Sequence, residues 1–98
     1  MLKTSQIKQD LKEIKYYYTM KKTFDMAEEE IKPEIILNRV HRYNAVMKNA
    51  PAKLYIMYYS LYINCNTHQA LADEWGYSRE YVTFLNEKLV NYLQKNLH

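Results

Sequence analysis

The chain contains a single glycine, Gly76, and two prolines, Pro33 and Pro51, among its 98 residues. Glycine and proline are the residues that most often break helices and form tight turns, so their scarcity leaves few places where the backbone can reverse direction. The hydrophobic fraction of 48% and the charged fraction of 26% are those of an ordinary globular protein. We therefore expect an all-α domain whose helices are interrupted at three or four points.

The first segment predicts a long N-terminal helix over residues 1–31. Its apolar residues recur three or four positions apart and form one stripe: Ile7, Leu11, Ile14, Tyr17, Met20, Phe24, Ala27 and Ile31. A helix of this length would measure ~40 Å, which is more than a small core can cover. We expect part of it to pack against a second copy of the chain or a partner. Alternatively, the helix breaks near Thr23 and folds back.

The remaining residues, 32–98, predict a unit of three to four helices. Pro33 suits the first turn of a helix that stops at Asn49-Ala50-Pro51, because the residue before proline disfavours helix. The next segment, AKLYIMYYSLYI, is apolar nearly all round and predicts a central, buried helix. Asn64-Cys65-Asn66 predicts the following break, since asparagine tolerates turn geometry.

Residues 67–97 predict a C-terminal helix-turn-helix. Thr67 and Ser78 are suited to cap the starts of its two helices. Gly76 lies in the connection between them, where one residue usually needs a positive φ that only glycine adopts without steric cost. The small Ala72, four residues earlier, permits close approach of the two helices. This pattern favours a helix-turn-helix over a plain antiparallel helical hairpin.

At these residues the sequence resembles a known group of proteins. The stretch from Thr67 to Leu93 is similar to the helix-turn-helix in region four of bacterial sigma factors, where a Ser/Thr followed by Arg-Glu opens the recognition helix, as Ser78-Arg79-Glu80 does here. The order of segments in RYNAVMKNAPAKLYIMYYSLYINCNTHQALADEWGYS resembles that of short phage-encoded, sigma-like transcription regulators of the ArpU and RinA type. The resemblance implies a phage-type transcription regulator that binds double-stranded DNA, with RNA polymerase as a further partner.

The resemblance also implies roles for individual residues. Arg79 and Glu80 match positions that read base edges, and their chemistry suits guanine O6 and N7 and the amino group of cytosine, respectively. Thr83 would also face bases, where its methyl group suits a thymine methyl. Phe84 departs from the family's pattern because its side chain cannot hydrogen-bond a base. A DNA site other than the sigma factors' promoter element is therefore expected.

The charge is unevenly distributed along the chain, whose net charge is +3. Residues 32–66 carry a net charge of +4, whereas residues 67–98, which include the predicted recognition helix, carry −1. Phosphate attraction must therefore draw on the middle of the chain as well as on its end. The expected phosphate contacts are Ser78, Lys88, Lys53 and Arg42. A homodimer formed through the first helix would double these contacts.

The competing interpretation is contact with a protein instead of DNA. Aromatic residues favour the cores of protein interfaces, and Tyr81 and Phe84, together with Tyr77 and Tyr92, are candidates for such a surface. RNA polymerase or another host factor would then be the partner. The alternative for these aromatic residues is packing in the core. Most aromatic residues of the chain are expected to lie there, since the sequence offers few other bulky side chains.

Several classes of function are not expected from this sequence. A single cysteine, Cys65, permits no internal disulfide and suits a cytoplasmic protein. No apolar stretch is long enough to span a membrane, and MLKTSQIKQD lacks the apolar core of a signal peptide. Cys65 and His68 have metal-like spacing, but a zinc site needs further ligands. We expect no metal, cofactor, small-molecule substrate or enzymatic activity.

Overall fold

The computed structural model of the protein describes residues 2–23 and 34–97, and these residues form helices without any β-strand. The helices are α1 (Thr4–Thr23), α2 (Glu34–Met47), α3 (Ala52–Tyr58), α4 (His68–Trp75) and α5 (Arg79–Asn96). A π-helical segment, Tyr59–Ile63, continues α3 directly. The all-α prediction is confirmed. None of these helices combines the length and the apolar character needed to cross a bilayer.

The helix α1 packs one face against the core of the fold. Its buried residues Ile7, Leu11, Ile14 and Tyr17 are the first four members of the predicted stripe, and they share one core with buried residues of the other helices. The later members of the stripe, in residues 24–31, lie outside the described residues, as does the predicted boundary between residues 31 and 32. The full length of the first helix and its role in association therefore stay predictions.

The core is closed mainly by α5. This helix buries Val82, Leu85, Leu89, Val90 and Leu93, which recur three or four residues apart for most of its length, as an amphipathic helix requires. The α2 residues Val40, Tyr43 and Met47 complete the same core, as their helical spacing predicts. Because one side of α5 is buried along its length, the opposite side is left facing the solvent.

The third helix is central, as predicted, since it and its π-helical continuation contact each of the other described helices, but the prediction that it is a buried helix holds for one side only. Met57, Tyr58 and Leu61 are buried, but Tyr55, Ile56 and Tyr59 are 39%, 48% and 43% exposed. A chain of this size buries too little surface to surround a helix completely, so α3 packs on one side only. The result is a row of large apolar side chains in contact with solvent.

The two breaks on either side of α3 and its π-helical continuation lie where the sequence predicts them. Residues 48–51 separate α2 from α3, and residues 64–67 separate the π-helical segment from α4. Within the second break the positive φ of 61° is adopted by Cys65 and not by either flanking asparagine. The thiol of Cys65 accepts a hydrogen bond from the Thr19 hydroxyl at 3.1 Å, which connects this break to α1.

Candidate nucleic-acid interface

The connection between α4 and α5 is specified at three positions. The Thr67 hydroxyl accepts a hydrogen bond from the backbone N–H of Ala70 at 3.0 Å, which caps the start of α4. Gly76 ends α4 with φ of 70°, and its N–H donates to the carbonyl of Ala72. The Ser78 hydroxyl then accepts from the N–H of Tyr81 at 3.1 Å and caps α5. All three local predictions are confirmed, and together they define where α5 begins.

The three predicted base-facing residues lie together. Arg79, Glu80 and Thr83 are all exposed, and they line one shallow depression of about 370 Å³ at the first turn of α5. They are grouped because position 83 lies four residues after position 79 and three after position 80, which makes it a neighbour of both on the helix surface. The depression therefore combines guanidinium donors, carboxylate acceptors and a hydroxyl that can do both.

The charged side chains of this depression, Arg79 and Glu80, form no ion pairs with other side chains in the described part of the chain. The charge of Arg79 also acts on His68. Burial is the largest cause that lowers the pKa of His68, followed by the positive charges of Lys15 and Arg79. The lowered pKa favours the neutral form of His68 at pH 7, so His68 adds little positive charge at this end of the molecule.

The structure places Lys53 and Lys88 against aromatic rings beside this depression. Lys53 Nζ donates to the Tyr81 hydroxyl at 3.2 Å and lies 5.6 Å from the centre of the Tyr81 ring. Lys88 Nζ lies 5.0 Å from the centre of the Phe84 ring. Cations over ring faces keep their charge while part of their hydration is replaced by the π-electron surface. Two of the expected phosphate contacts are thus associated with α5.

The other two expected phosphate contacts differ in position. Ser78 uses its oxygen to cap α5, but a hydroxyl that accepts a hydrogen bond keeps its own O–H as a donor. Arg42 is exposed in a separate depression between α1 and α2, of about 460 Å³, which it shares with Asp10, Arg39 and Tyr43. The structure does not bring Arg42 into the depression of Arg79.

An aromatic row adjoins the base-facing depression. Trp75, Tyr77, Tyr81 and Phe84 contact one another in succession, with ring centres 5.9, 4.8 and 6.2 Å apart. Phe84 is 52% exposed, whereas Tyr81 is half-buried. Sequence reasoning identified Tyr77, Tyr81 and Phe84 as candidate contact residues, but it missed Trp75 and the neighbouring Ile56. The sequence contained one signal for the exposure of Ile56. Lys53 and Ser60 are the polar residues of the third segment, and their spacing of seven residues places them on one side of the helix, together with Ile56.

In residues 2–23 and 34–97 no group of three or more His, Cys, Asp or Glu side chains is arranged to hold a metal ion.

Comparison with known proteins adds nothing to the geometry: no protein-family model, no curated protein and no solved structure matches the chain.

Proposed function

We propose that α4, the turn at Gly76 and α5 form a DNA-binding helix-turn-helix, and that the protein is a phage-type transcription regulator. The observation that carries this proposal is the grouping of Arg79, Glu80 and Thr83 in one exposed depression at the start of α5. In a helix-turn-helix the N-terminal residues of the second helix contact base edges in the major groove. The three residues occupy that part of α5.

The side chains suit specific bases. Arg79 offers a bidentate pair of donors to guanine O6 and N7, and Glu80 accepts from the N4 amino group of cytosine. Thr83 offers its methyl group to thymine and its hydroxyl to other base edges. A site containing guanine and cytosine at neighbouring positions is therefore the expected target of the first turn of α5.

Phosphate contacts would position α5 in the groove. Ser78, at the capped N-terminus of α5, offers its O–H, and the helix N-terminus itself favours an anion. Lys53 and Lys88 flank the aromatic row on α5 and supply positive charge. The acids of residues 67–98 limit the charge of one copy, so a homodimer, with two such helices, is the expected binding form.

The test is the salt dependence of binding to duplex DNA. Fluorescence anisotropy on mixed-sequence duplexes should show binding at about 50 mM salt that weakens about 100-fold by 200 mM if each complex makes about four phosphate contacts. The double substitution Lys53→Gln and Lys88→Gln should weaken binding and flatten the salt slope. Lys12→Gln, which removes an exposed lysine of α1, should change neither.

Absence of duplex binding at low salt, or binding that ignores salt, would overturn the proposal. Protein contact through Tyr81 and Phe84 would then be the better explanation of the exposed aromatic row. Direct binding to purified bacterial RNA polymerase, compared between the native chain and Phe84→Ala, measures that alternative.

A further inference from the structure

A second surface lies on the side of the turn that faces α3. It contains a groove of about 330 Å³ lined by Lys53, Ile56, Trp75 and Tyr77, which we call the aromatic groove. Ile56 is 48% exposed although it is a large aliphatic residue in the middle of a helix. Its side chain forms one wall, and the rings of Trp75 and Tyr77, in edge-to-face contact 5.9 Å apart, form part of the other.

The apolar surface extends beyond the groove along α3. Tyr55 and Tyr59, one helical turn apart, stack with ring centres 6.4 Å apart and remain 39% and 43% exposed. Ile56 belongs to both this exposed face and the groove, so the two are continuous. Exposed apolar side chains are common singly, but a contiguous group beside a groove marks a site that another molecule covers.

Lys53 adds a specific charge to one end of the groove. Its ammonium lies over the rings of Tyr77 and Tyr81, 5.9 and 5.6 Å from their centres, and donates a hydrogen bond to the Tyr81 hydroxyl. Among the residues that the structure describes, no carboxylate forms an ion pair with it. The contacts hold the cation in position beside apolar surface, where it can pair with an anion brought by a ligand.

We propose that the aromatic groove binds an acidic, amphipathic segment of a partner protein, with a bulky apolar side chain between Ile56 and Trp75 and a carboxylate on Lys53. An amphipathic helix presents apolar anchors at intervals of three and four residues with acids beside them, which matches an apolar groove with a cation at one end. A DNA backbone brings anions but no apolar side chains, so it would leave Ile56, Tyr55 and Tyr59 in water. The charge and the apolar surface together therefore favour a protein segment.

This inference does not depend on DNA binding, although Lys53 is also an expected phosphate contact. Ile56 separates the two functions, because a duplex makes no use of an aliphatic side chain on α3. The depression of Arg79, Glu80 and Thr83 contains no residue of the aromatic groove. A duplex and a partner segment can thus be tested independently.

The test uses the full chain and two synthetic helical peptides of about four turns. One has leucines at every third or fourth position with glutamates between them, and the other has lysine in place of each glutamate. Fluorescence anisotropy should show that the acidic peptide binds at least about tenfold more tightly than the basic one, because only the acidic peptide supplies the carboxylate that Lys53 requires. Lys53→Glu should remove this preference, and Ile56→Asp should abolish binding of the acidic peptide.

The control is Lys48→Glu, which makes the same change of charge at an exposed position outside the groove and should leave peptide affinity within about twofold. Far-UV circular dichroism of each variant checks that the fold is intact, which is expected because both substituted side chains of the groove are exposed. The proposal would be overturned if the two peptides bound with equal affinity, or if Ile56→Asp did not weaken binding of the acidic peptide.

Two other occupants give different results, and each would also overturn it. Loss of duplex binding in Ile56→Ala, which adds no charge beside Lys53, would assign the groove to nucleic acid. Dimerisation of the native chain that Ile56→Asp abolishes, with no peptide binding in either, would show that a second copy covers the groove. Light scattering over a range of protein concentrations measures the dimer.

Discussion

The Tyr43 hydroxyl donates a 2.7 Å hydrogen bond to the carboxylate of Asp10, a residue only 4% exposed. Gln6 Nε2 donates to the other oxygen of that carboxylate at 2.8 Å, and Arg39 Nε lies 3.4 Å from it. Arg39 also pairs with Glu13 at 2.9 Å. A buried carboxylate is tolerable because these donors replace its water, and they tie α1 to α2.

Replacing Tyr43 by phenylalanine should destabilise the protein by about 1–3 kcal/mol, since it removes a donor from a buried, charged acceptor and keeps the aromatic ring. Urea denaturation followed by circular dichroism measures the change. The matched control is Tyr16→Phe, because Tyr16 is 56% exposed and should lose less than about 0.5 kcal/mol. Equal effects of the two substitutions would show that the hydrogen bond contributes nothing specific.

Stability should fall in alkaline solution because of buried tyrosines. Burial, followed by the hydrogen bond and the charge of Asp10, raises the pKa of Tyr43, and burial raises the pKa of Tyr58 and brings that of Tyr62 to about 12. A raised folded-state pKa means that folding favours the neutral phenol. The contribution is therefore complete below the unfolded pKa of about 10 and is lost as pH rises through the folded value.

The free energy of unfolding should thus decrease between about pH 10 and pH 12, and the ionisation of Tyr62 should contribute to this decrease. Ultraviolet titration of tyrosinate separates this effect from the ionisation of lysines. Tyr43, Tyr58 and Tyr62 should titrate later in the native protein than in urea. If Tyr62→Phe leaves the number of late-titrating groups unchanged, the assignment of Tyr62 is wrong.

Substitutions at Gly76 should be costly through the backbone alone. No atom lies within 4 Å of the position that an added Cβ would occupy, but φ is +70°. Gly76→Ala should therefore cost about 1–2 kcal/mol, and Gly76→Asn less, because asparagine tolerates the left-handed conformation. Thermal or urea unfolding of the pair gives the comparison. An asparagine variant less stable than the alanine variant would show that the side chain meets something other than backbone strain.

Removing the Arg79 side chain should affect binding and leave stability nearly unchanged. On a duplex selected from a randomised library, Arg79→Ala should cost about 1–3 kcal/mol, which corresponds to about a 5- to 150-fold loss of affinity. Its free energy of unfolding should change by less than about 0.5 kcal/mol, since the side chain is exposed. Lys95→Ala, near the end of α5, is the control and should weaken binding little. Equal losses would indicate that Arg79 contributes only general charge.

The features that could be predicted from sequence are those set by neighbours along the chain. Capping by Thr67 and Ser78 and the positive φ of Gly76 depend on a few adjacent residues, so local rules were sufficient. The left-handed residue of the preceding break was harder to identify. Either asparagine suited it, yet Cys65 adopts it, with its thiol 3.1 Å from the Thr19 hydroxyl of α1.

The candidate site shows the same division. The grouping of Arg79, Glu80 and Thr83 followed from helical spacing, which is a local property. That Arg42 lies in a separate depression, away from Arg79, depends on how α1 and α2 pack against each other. The groove beside Ile56 likewise exists only because residues of α3 and of the α4–α5 turn meet in space.

The sequence by itself determined that the chain is helical and where its described breaks lie, because capping, glycine geometry and apolar spacing operate within a few residues. Tertiary structure alone decided which face of the apolar third helix meets water. Burial is favourable for the apolar side chains on every side of this helix, but a domain of this size can cover only one side of it. The side that was left out, with Ile56 and Tyr59, is the one on which a partner is proposed to bind.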